Sequence, residues 1–448
     1  MYWIIHPSDI MDKTKMIAIA VVAIVAVAAV AIVLTNDSGS DDVEINSQLK
    51  VFGNADNDYN IDSDDLELIG DIIAGNKKFS DHPLADANHD GTVDAADEQL
   101  VQKILDKESC TVYHYNTCST GDYVVSTKWP VKAAVSTASS NMLWITQMSG
   151  MADKIYGISY SKSSPPDPTL FPRFSEMESI GSSSTKMPVE GIKKYIEDYG
   201  ITAVLCDKTA STVDKAEVEP IHEGMGIDVI RVNPALVDAT EYSAEMFLLA
   251  FLFQTEEKCK DVAQWWIGLQ ADIEDKLEDI TDKKTVIACN GVPSANGMWI
   301  SAGTSDYKQV AEMAGGIYAL GEEVLTQYTS GCYFKQNDTW LYNYDIDCIV
   351  NIKTNDWYSC SVDKQAKYDE SVGIFSQTQA YANGDAIVVV GDAPIPLRIL
   401  YTAVALYPDV FTEEYADGMH KEFFDKFVPG NTVNWDESFF MLTHDMAY

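Results

Sequence analysis

The chain opens with a long apolar segment and continues with shorter amphipathic patterns. Residues 16–34 form a run of 19 residues without a charged side chain, which is long enough to cross the roughly 30 Å hydrocarbon layer as a helix. Lysines precede the run and aspartates follow it, so the positive-inside rule places the rest of the chain outside the cytoplasm. This predicts a single-pass protein of the cell membrane, with a cytoplasmic tip and anchor over 1–35 and a linker over 36–50. A cleaved signal peptide is the alternative, because the run contains small residues such as Ala28 and Ala29.

Two stretches rich in Asp and Asn follow, 32 residues apart, and each leads into an apolar helical pattern. Side-chain oxygens recur at loop positions 1, 3, 5, 9 and 12, and position 7 can contribute its carbonyl, as in EF-hand loops that bind Ca²⁺. Gly91 provides the sharp turn at position 6 of the second loop, whereas Tyr59 replaces it in the first, which predicts a weaker or strained first site. The predicted ligands of two Ca²⁺ ions are Asn54, Asp56, Asp58, Asn60, Asp62, Asp65, Asp86, Asn88, Asp90, Thr92, Asp94 and Asp97.

This repeat, over 51–107, resembles a type I dockerin module, in which two calcium loop–helix segments dock onto cohesin domains. Asp65 and Asp97 stand at position 12, as in that family. The resemblance implies a small all-α calcium-binding module and a cohesin-bearing partner. The alternative is a calcium-stabilised spacer that holds the following domain away from the membrane.

From about Thr111 the pattern alternates between strand-like and helical runs, which predicts an α/β fold. The strand-like runs lie at 133–135, 203–206, 228–232, 285–288, 348–350 and 386–390. Between the two series, apolar residues recur at three- and four-residue steps through a stretch without proline, which predicts one long helix over 236–283. The expected architecture is two α/β lobes, over 110–235 and 284–448, with a ligand cleft between them.

Several segments in this part of the chain resemble the class III periplasmic binding proteins, the iron-siderophore, haem and vitamin B12 carriers of ABC importers. They lie at 150–159, 180–190, 284–288, 314–316, 393–398 and 406–411. The resemblance covers about 123–440 and implies a solute-binding protein that delivers its ligand to an ABC permease. In that family an acidic residue on each lobe meets the permease. Glu190 matches on the first lobe, and Asp338 matches more loosely on the second.

Charge and motifs exclude other classes of function. The chain has 31 Lys and Arg against 69 Asp and Glu, a formal net charge of -38. Nucleic acid is therefore not an expected partner, because phosphate binding needs a basic surface. No nucleophile-elbow, phosphate-loop or metalloprotease motif occurs, so no enzyme is predicted. A polysaccharide-degrading enzyme, the usual cargo of a dockerin, and a cell-surface carbohydrate-binding or scaffold protein are the alternatives.

Ligand contacts are expected from loops at strand ends, where α/β folds form their sites. Trp299 follows a glycine-bracketed loop. Arg398 is expected to cap carboxylates of a ligand, and the alternative is an ion pair inside its own lobe. The predicted contacts are Tyr160, Arg173, Lys208, Asn290, Trp299, Tyr307, Tyr358 and Arg398. An iron-siderophore and a corrinoid fit equally well. Haem fits less well, because no His or Tyr can be assigned as its axial ligand.

Overall fold

The computed structural model describes residues 43–181, 189–208, 219–294, 297–327, 331–334, 340–354, 357–358 and 362–447. Residues from Ile45 onward form one unit. Within the described ranges, no helix combines the length and apolarity needed to cross a membrane. The anchor predicted at 16–34 lies outside the described residues.

Each predicted calcium loop leads directly into a helix. These helices are α1 (Ser63–Ile73) and α2 (Ala95–Leu105). Asp62 and Asp94 cap them, and Asp65 and Asp97 complete capping boxes by accepting the backbone N–H of the N-cap residue. Such boxes satisfy donors that a helix start otherwise leaves unpaired. The repeat therefore fixes both helix starts in the same way.

The repeat module, residues 51–107, packs directly on the large domain. A hairpin follows it, formed by β1 (Cys110–Asn116) and β2 (Tyr123–Trp129). Val51 forms an isolated antiparallel bridge with His114, and the N–H of Phe52 donates to the carbonyl O of Tyr113 at 2.9 Å. The ring of Phe52 stacks on that of Tyr115 with centroids 5.5 Å apart. The module is thus held against the hairpin by both backbone and ring contacts.

The first lobe is built on a four-stranded parallel sheet with the order β4-β3-β5-β6. Its strands are β3 (Ala134–Thr137), β4 (Ile155–Ser159), β5 (Ala203–Asp207) and β6 (Asp228–Val232). Its helices are α3 (Ser140–Met148), α4 (Pro172–Ser175), α5 (Val189–Tyr199) and α6 (Glu219–Gly224). Nearly every strand residue is buried, as expected for parallel strands covered on both faces.

A long connecting helix is present, but the predicted extent of 236–283 is wrong, because two helices occupy that stretch. They are α7 (Ala239–Phe253) and α8 (Glu256–Glu278). Gln254 adopts a left-handed conformation, with φ of +54°, and ends α7. The chain then turns back, so that the rings of Tyr242 and Trp266 lie 4.3 Å apart. The 23 residues of α8 span about 35 Å and lead into the second lobe.

The second lobe contains a seven-stranded mixed sheet in the described part of the chain. Its strands are β7 (Thr285–Ser294), β8 (Gly297–Ser301), β9 (Ile317–Tyr318), β10 (Gly331–Phe334), β11 (Cys348–Lys353), β12 (Ala386–Val390) and β13 (Met441–Leu442). Its helices are α9 (Asp306–Met313), α10 (Glu322–Leu325), α11 (Lys364–Val372), α12 (Gln379–Asn383), α13 (Ile395–Leu406), α14 (Glu413–Phe427) and α15 (His444–Ala447). Strands β7, β11 and β12 are parallel neighbours. The prediction of two α/β lobes is confirmed.

Candidate ligand-binding site

A cavity of about 680 Å³ lies between the two lobes, within the size range of small-molecule sites. On the first lobe, Lys208 and Asn233 follow the carboxyl ends of β5 and β6, and Glu241 lies in the first turn of α7. The second lobe contributes residues of β7, β8 and the start of α9. The cavity therefore lies where α/β sheets commonly bind ligands, beyond the carboxyl ends of their strands.

Four of the predicted contacts line this cavity together: Lys208, Asn290, Trp299 and Tyr307. Asn290 and Trp299 are brought side by side because they are register partners in the β7–β8 hairpin. Tyr307 stands in the first turn of α9. Burial first, and then the adjacent Asp306 carboxylate, raise the pKa of Tyr307. Its hydroxyl is therefore neutral and can donate a hydrogen bond at physiological pH.

Trp299 is the main apolar surface of the cavity. This residue is 55% exposed, more than any other large hydrophobic residue in the described ranges. An indole held in a cleft offers a broad apolar face to a ligand. The ring is positioned by a paired strand on each side of β8. It is therefore presented to the cavity on a rigid backbone.

Arg398 was predicted as a ligand contact, but it does not line the cavity. Its side chain is 2% exposed, with Nε donating to the carbonyl O of Ala393 at 2.6 Å and Nη2 to Oδ1 of Asn141 at 3.0 Å. Its Nη1 lies 3.8 Å from Oδ2 of Asp306. Because Asn141 belongs to α3 of the first lobe, Arg398 links the two lobes. Its guanidinium is already committed to protein groups and cannot cap a ligand carboxylate.

The remaining three predicted contacts also have their polar atoms committed elsewhere. Arg173 donates to backbone carbonyl groups at the amino end of β4, the opposite end of the sheet from the cavity. The hydroxyl of Tyr160 donates to the carbonyl O of Met177 at 2.8 Å. Tyr358 is buried, and its hydroxyl lies 2.9 Å from Nε2 of His420. Each side chain stabilises its own lobe instead of lining the cavity.

A buried network of hydrogen-bonded polar side chains lies in the second lobe. His420 is fully buried, with the Tyr358 hydroxyl near Nε2 and the Tyr401 hydroxyl 3.1 Å from Nδ1. Tyr401 also donates to Asp417 at 2.6 Å. Burial lowers the pKa of His420 to about 3. The imidazole is therefore neutral in the folded protein, as burial without a counter-charge requires.

The cavity is also lined by residues that the sequence did not indicate, among them Asn233 and Glu241 of the first lobe. Asn233 directly follows β6, so the rule that sites form at the carboxyl ends of strands could have found it. Glu241 had no such signal, because its position depends on how α7 packs against the first lobe. Of the predicted permease contacts, Glu190 is exposed in the first turn of α5. Asp338 lies outside the described residues.

The two predicted calcium loops close in the same way. Oδ1 of Asp65 accepts the N–H of Ala55 at 2.6 Å, and Oδ2 accepts that of Asp62 at 2.8 Å. Asp97 accepts N–H groups from loop positions 3 and 9 of the second repeat, at 3.0 and 2.8 Å. The carboxylate at position 12 therefore joins the beginning of each loop to the start of its helix.

The first loop contains oxygen atoms that the protein leaves unpaired. Oδ1 of Asn54 and Oδ1 of Asn60 are buried without a hydrogen-bond partner, and such acceptors carry a desolvation cost. Burial, followed by repulsion from neighbouring carboxylates, raises the pKa of Asp58 to about 6. In the described ranges, no three His, Cys, Asp or Glu side chains already converge as a metal site. The donor set of carboxylate and amide oxygens suits a hard cation.

Tyr59 at position 6 does not strain the first loop. Gly91 has a φ of +94° in the second loop, but Tyr59 is not among the residues with positive φ. Its ring packs on Phe247 of α7 with centroids 5.1 Å apart. The tyrosine therefore replaces the glycine turn with a contact to the large domain. The expected strain is not found.

No protein-family model and no curated protein matches the chain. Solved structures do resemble it. A TroA-like periplasmic binding protein, FepB from Veillonella parvula, has a TM-score of 0.56 at 15% identity, over 73% of this chain and 99% of that one. A periplasmic solute binding protein from Veillonella parvula DSM 2008 has a TM-score of 0.52 at 17% identity, over 73% and 97%. An ABC transporter solute binding protein from Sulfurospirillum deleyianum DSM 6946 has a TM-score of 0.50 at 14% identity, over 70% and 95%.

Similarity at these identities establishes the fold alone, since one fold can host many functions. The matches cover nearly the whole length of each solved structure. The large domain therefore has the fold of the TroA-like periplasmic solute-binding proteins.

Proposed function

We propose that this chain is the extracytoplasmic solute-binding component of an ABC importer. The observation that carries the proposal is the cavity between the lobes, which is lined by residues of both and presents the exposed ring of Trp299. The solved structures with this fold include a protein described as an ABC transporter solute binding protein. The charge asymmetry around the apolar run at 16–34 supports a membrane-anchored protein with its large domain outside the cytoplasm.

We propose an iron-siderophore or a corrinoid as the ligand. Metal chelates of this kind are large and partly apolar, and such ligands are held by broad walls with a few polar groups. Trp299 supplies an apolar wall, and Asn290 and Tyr307 supply polar groups beside it. Glu190, exposed at the start of α5, is proposed to dock onto a basic residue of the permease.

The repeat module is proposed to bind two Ca²⁺ ions and to act as a rigid part of the large domain. The unpaired oxygens of Asn54 and Asn60 support a cation in the first loop. The second loop has the same carboxylate closure. The contacts of Phe52 with Tyr115 and of Tyr59 with Phe247 support the spacer alternative over a freely tethered docking module.

Fluorescence titration of the purified protein tests the proposed ligand class. A bound ferric or cobalt chromophore should quench the emission of Trp299 when it packs on the ring. The panel consists of ferric siderophores, cobalamin, haemin and oligosaccharides. Saturable quenching by a chelate, together with binding heat in a calorimetric titration with the same chelate, would support the proposal. Binding of an oligosaccharide alone would favour the carbohydrate-binding alternative.

A further inference from the structure

None of the arginines of this chain lines the interlobe cavity, so none is available there to an anionic ligand. The sequence has only Arg173, Arg231 and Arg398, and all three lie in the described ranges. Arg231 is 2% exposed and paired with Glu219 at 3.0 Å. Arg398 is held by protein acceptors beneath the cavity, and Arg173 is held by backbone carbonyls at the far end of the sheet. Arginine is the residue best suited to bind carboxylates and other planar anions, because its fork forms paired hydrogen bonds.

The charges that line the cavity also disfavour an anion. Among the described lining residues, Lys208 is the one cation, against the carboxylates of Glu241 and Asp306. Asp306 lies 3.8 Å from Arg398, which offsets its charge. The remaining pair, Lys208 and Glu241, leaves the wall without a net positive charge. The formal charge of -38 on the whole chain adds a repulsive field for any approaching anion.

The other polar side chains among the described lining residues are uncharged. They are the amides of Asn233, Asn290 and Gln309 and the hydroxyls of Ser301, Thr304, Ser305 and Tyr307. An amide offers both donors and an acceptor, and a hydroxyl offers one donor and two lone pairs. Such groups match amides and hydroxyls on a ligand, which present the same mixture of donors and acceptors. The indole face of Trp299 can cover the apolar part of the same ligand.

We propose that the cavity selects metal chelates with an uncharged outer surface of amide and hydroxyl groups, and that it discriminates against anionic chelates. This inference rests on the proposed function as a chelate carrier. A ferric trihydroxamate and a corrinoid both present this surface. A ferric tricatecholate and haem carry negative charge on their outer surface, which the carboxylate of Glu241 would repel.

Calorimetric titration of the full chain tests the selection. The probes are a neutral ferric trihydroxamate, cyanocobalamin, a ferric tricatecholate and haemin. We expect at least one neutral probe to bind about 100-fold more tightly than either anionic probe, the scale of an unpaired charge in an interface. Its affinity should change by less than about twofold between about 0.05 and 0.5 M NaCl, because screening acts on charged partners. Comparing the affinities of the two neutral probes shows whether the cavity prefers a hydroxamate siderophore or a corrinoid.

A charge reversal in the cavity tests the same selection with a variant protein. Glu241→Lys should narrow the preference for the neutral over the anionic chelate by about tenfold, since it replaces a repulsive charge with an attractive one. Asp436→Lys is the matched control, because Asp436 is exposed on the second lobe and does not line the cavity. The control changes net charge equally and should leave the preference unchanged.

The outcomes separate the inference from the proposed function. Equal or tighter binding of the tricatecholate or haemin by the unaltered protein would overturn the inference and leave the chelate-carrier function standing. An equal effect of both charge reversals would also overturn it, since the selection would then not arise at the cavity. Binding of an oligosaccharide from the fluorescence panel, but of no chelate, would contradict both the chelate-carrier function and the selection among chelates. Binding of no probe at all would overturn both.

Discussion

Replacing Trp299 with alanine removes the largest exposed ring of the interlobe cavity. A tryptophan side chain can bury about 150–250 Å², and 55% of this one is exposed, so about 100 Å² is open to a ligand. At about 25 cal/mol per Å² of buried apolar area, full coverage contributes about 2.5 kcal/mol. Coverage of most of the ring gives about 2 kcal/mol. We therefore expect Trp299→Ala to weaken chelate binding by about 30-fold.

The same variant should leave the fold intact. Because more than half of the side chain is already exposed, its removal creates no enclosed core cavity, and the free energy of unfolding should change by less than about 0.5 kcal/mol. Calorimetric titration measures the affinity and a thermal melt checks the fold. Tyr199→Ala is the control, since Tyr199 is 50% exposed on α5 and lies away from the cavity. If Trp299→Ala bound the chelate within about twofold of the unaltered protein, the ring would not pack on the ligand.

Calcium should raise the melting temperature of the whole unit, because Tyr59 couples the first loop to α7 and binding to the folded state stabilises it. Asp90→Ala should weaken Ca²⁺ binding at the second loop. The absence of binding heat in a calorimetric titration with millimolar Ca²⁺ would contradict the calcium sites. Glu190→Lys should lower transport in a reconstituted importer without changing ligand affinity. Glu197→Lys, on the same helix, is the control and should not lower transport. Equal transport by both variants would rule out Glu190 as a docking residue. The pKa of His420 falls from an ordinary 6.5 to about 3 on folding. Its stabilising contribution is therefore present above about pH 6.5 and lost as pH falls towards 3, by about 2 kcal/mol between pH 7 and pH 5. Urea unfolding at several pH values should show a smaller loss of unfolding free energy at low pH in His420→Gln than in the unaltered protein. The same pH dependence in both proteins would refute the assignment of this loss to His420.

The lobes were predictable because their central strands are buried on both faces and so read as continuous apolar runs. The break between α7 and α8 was not. Gln254 adopts a left-handed conformation without being glycine, and apolar periodicity continues across it. The packing of Tyr242 on Trp266 holds the two helices together and depends on contacts between distant residues. Hydrophobic patterns alone do not record such contacts.

The cavity was partly predictable for a similar reason. Lys208 directly follows a strand and Tyr307 lies in the first turn of a helix, and both positions are recognisable from local patterns. Arg398 was misassigned because its partner Asn141 lies 257 positions away in sequence. A buried arginine and an exposed one have the same local pattern when their partners are distant. The choice between a ligand clamp and a link between lobes required the tertiary structure.

Native mass spectrometry with absorbance spectroscopy tests the central claim most directly. The full chain would be isolated from its own membranes without added ligand, so that any solute retained in the interlobe cavity is measured intact. We predict one ferric or cobalt chelate per chain, with the visible absorption of its metal centre and no net negative charge on the released compound. A retained oligosaccharide without iron or cobalt would contradict the account.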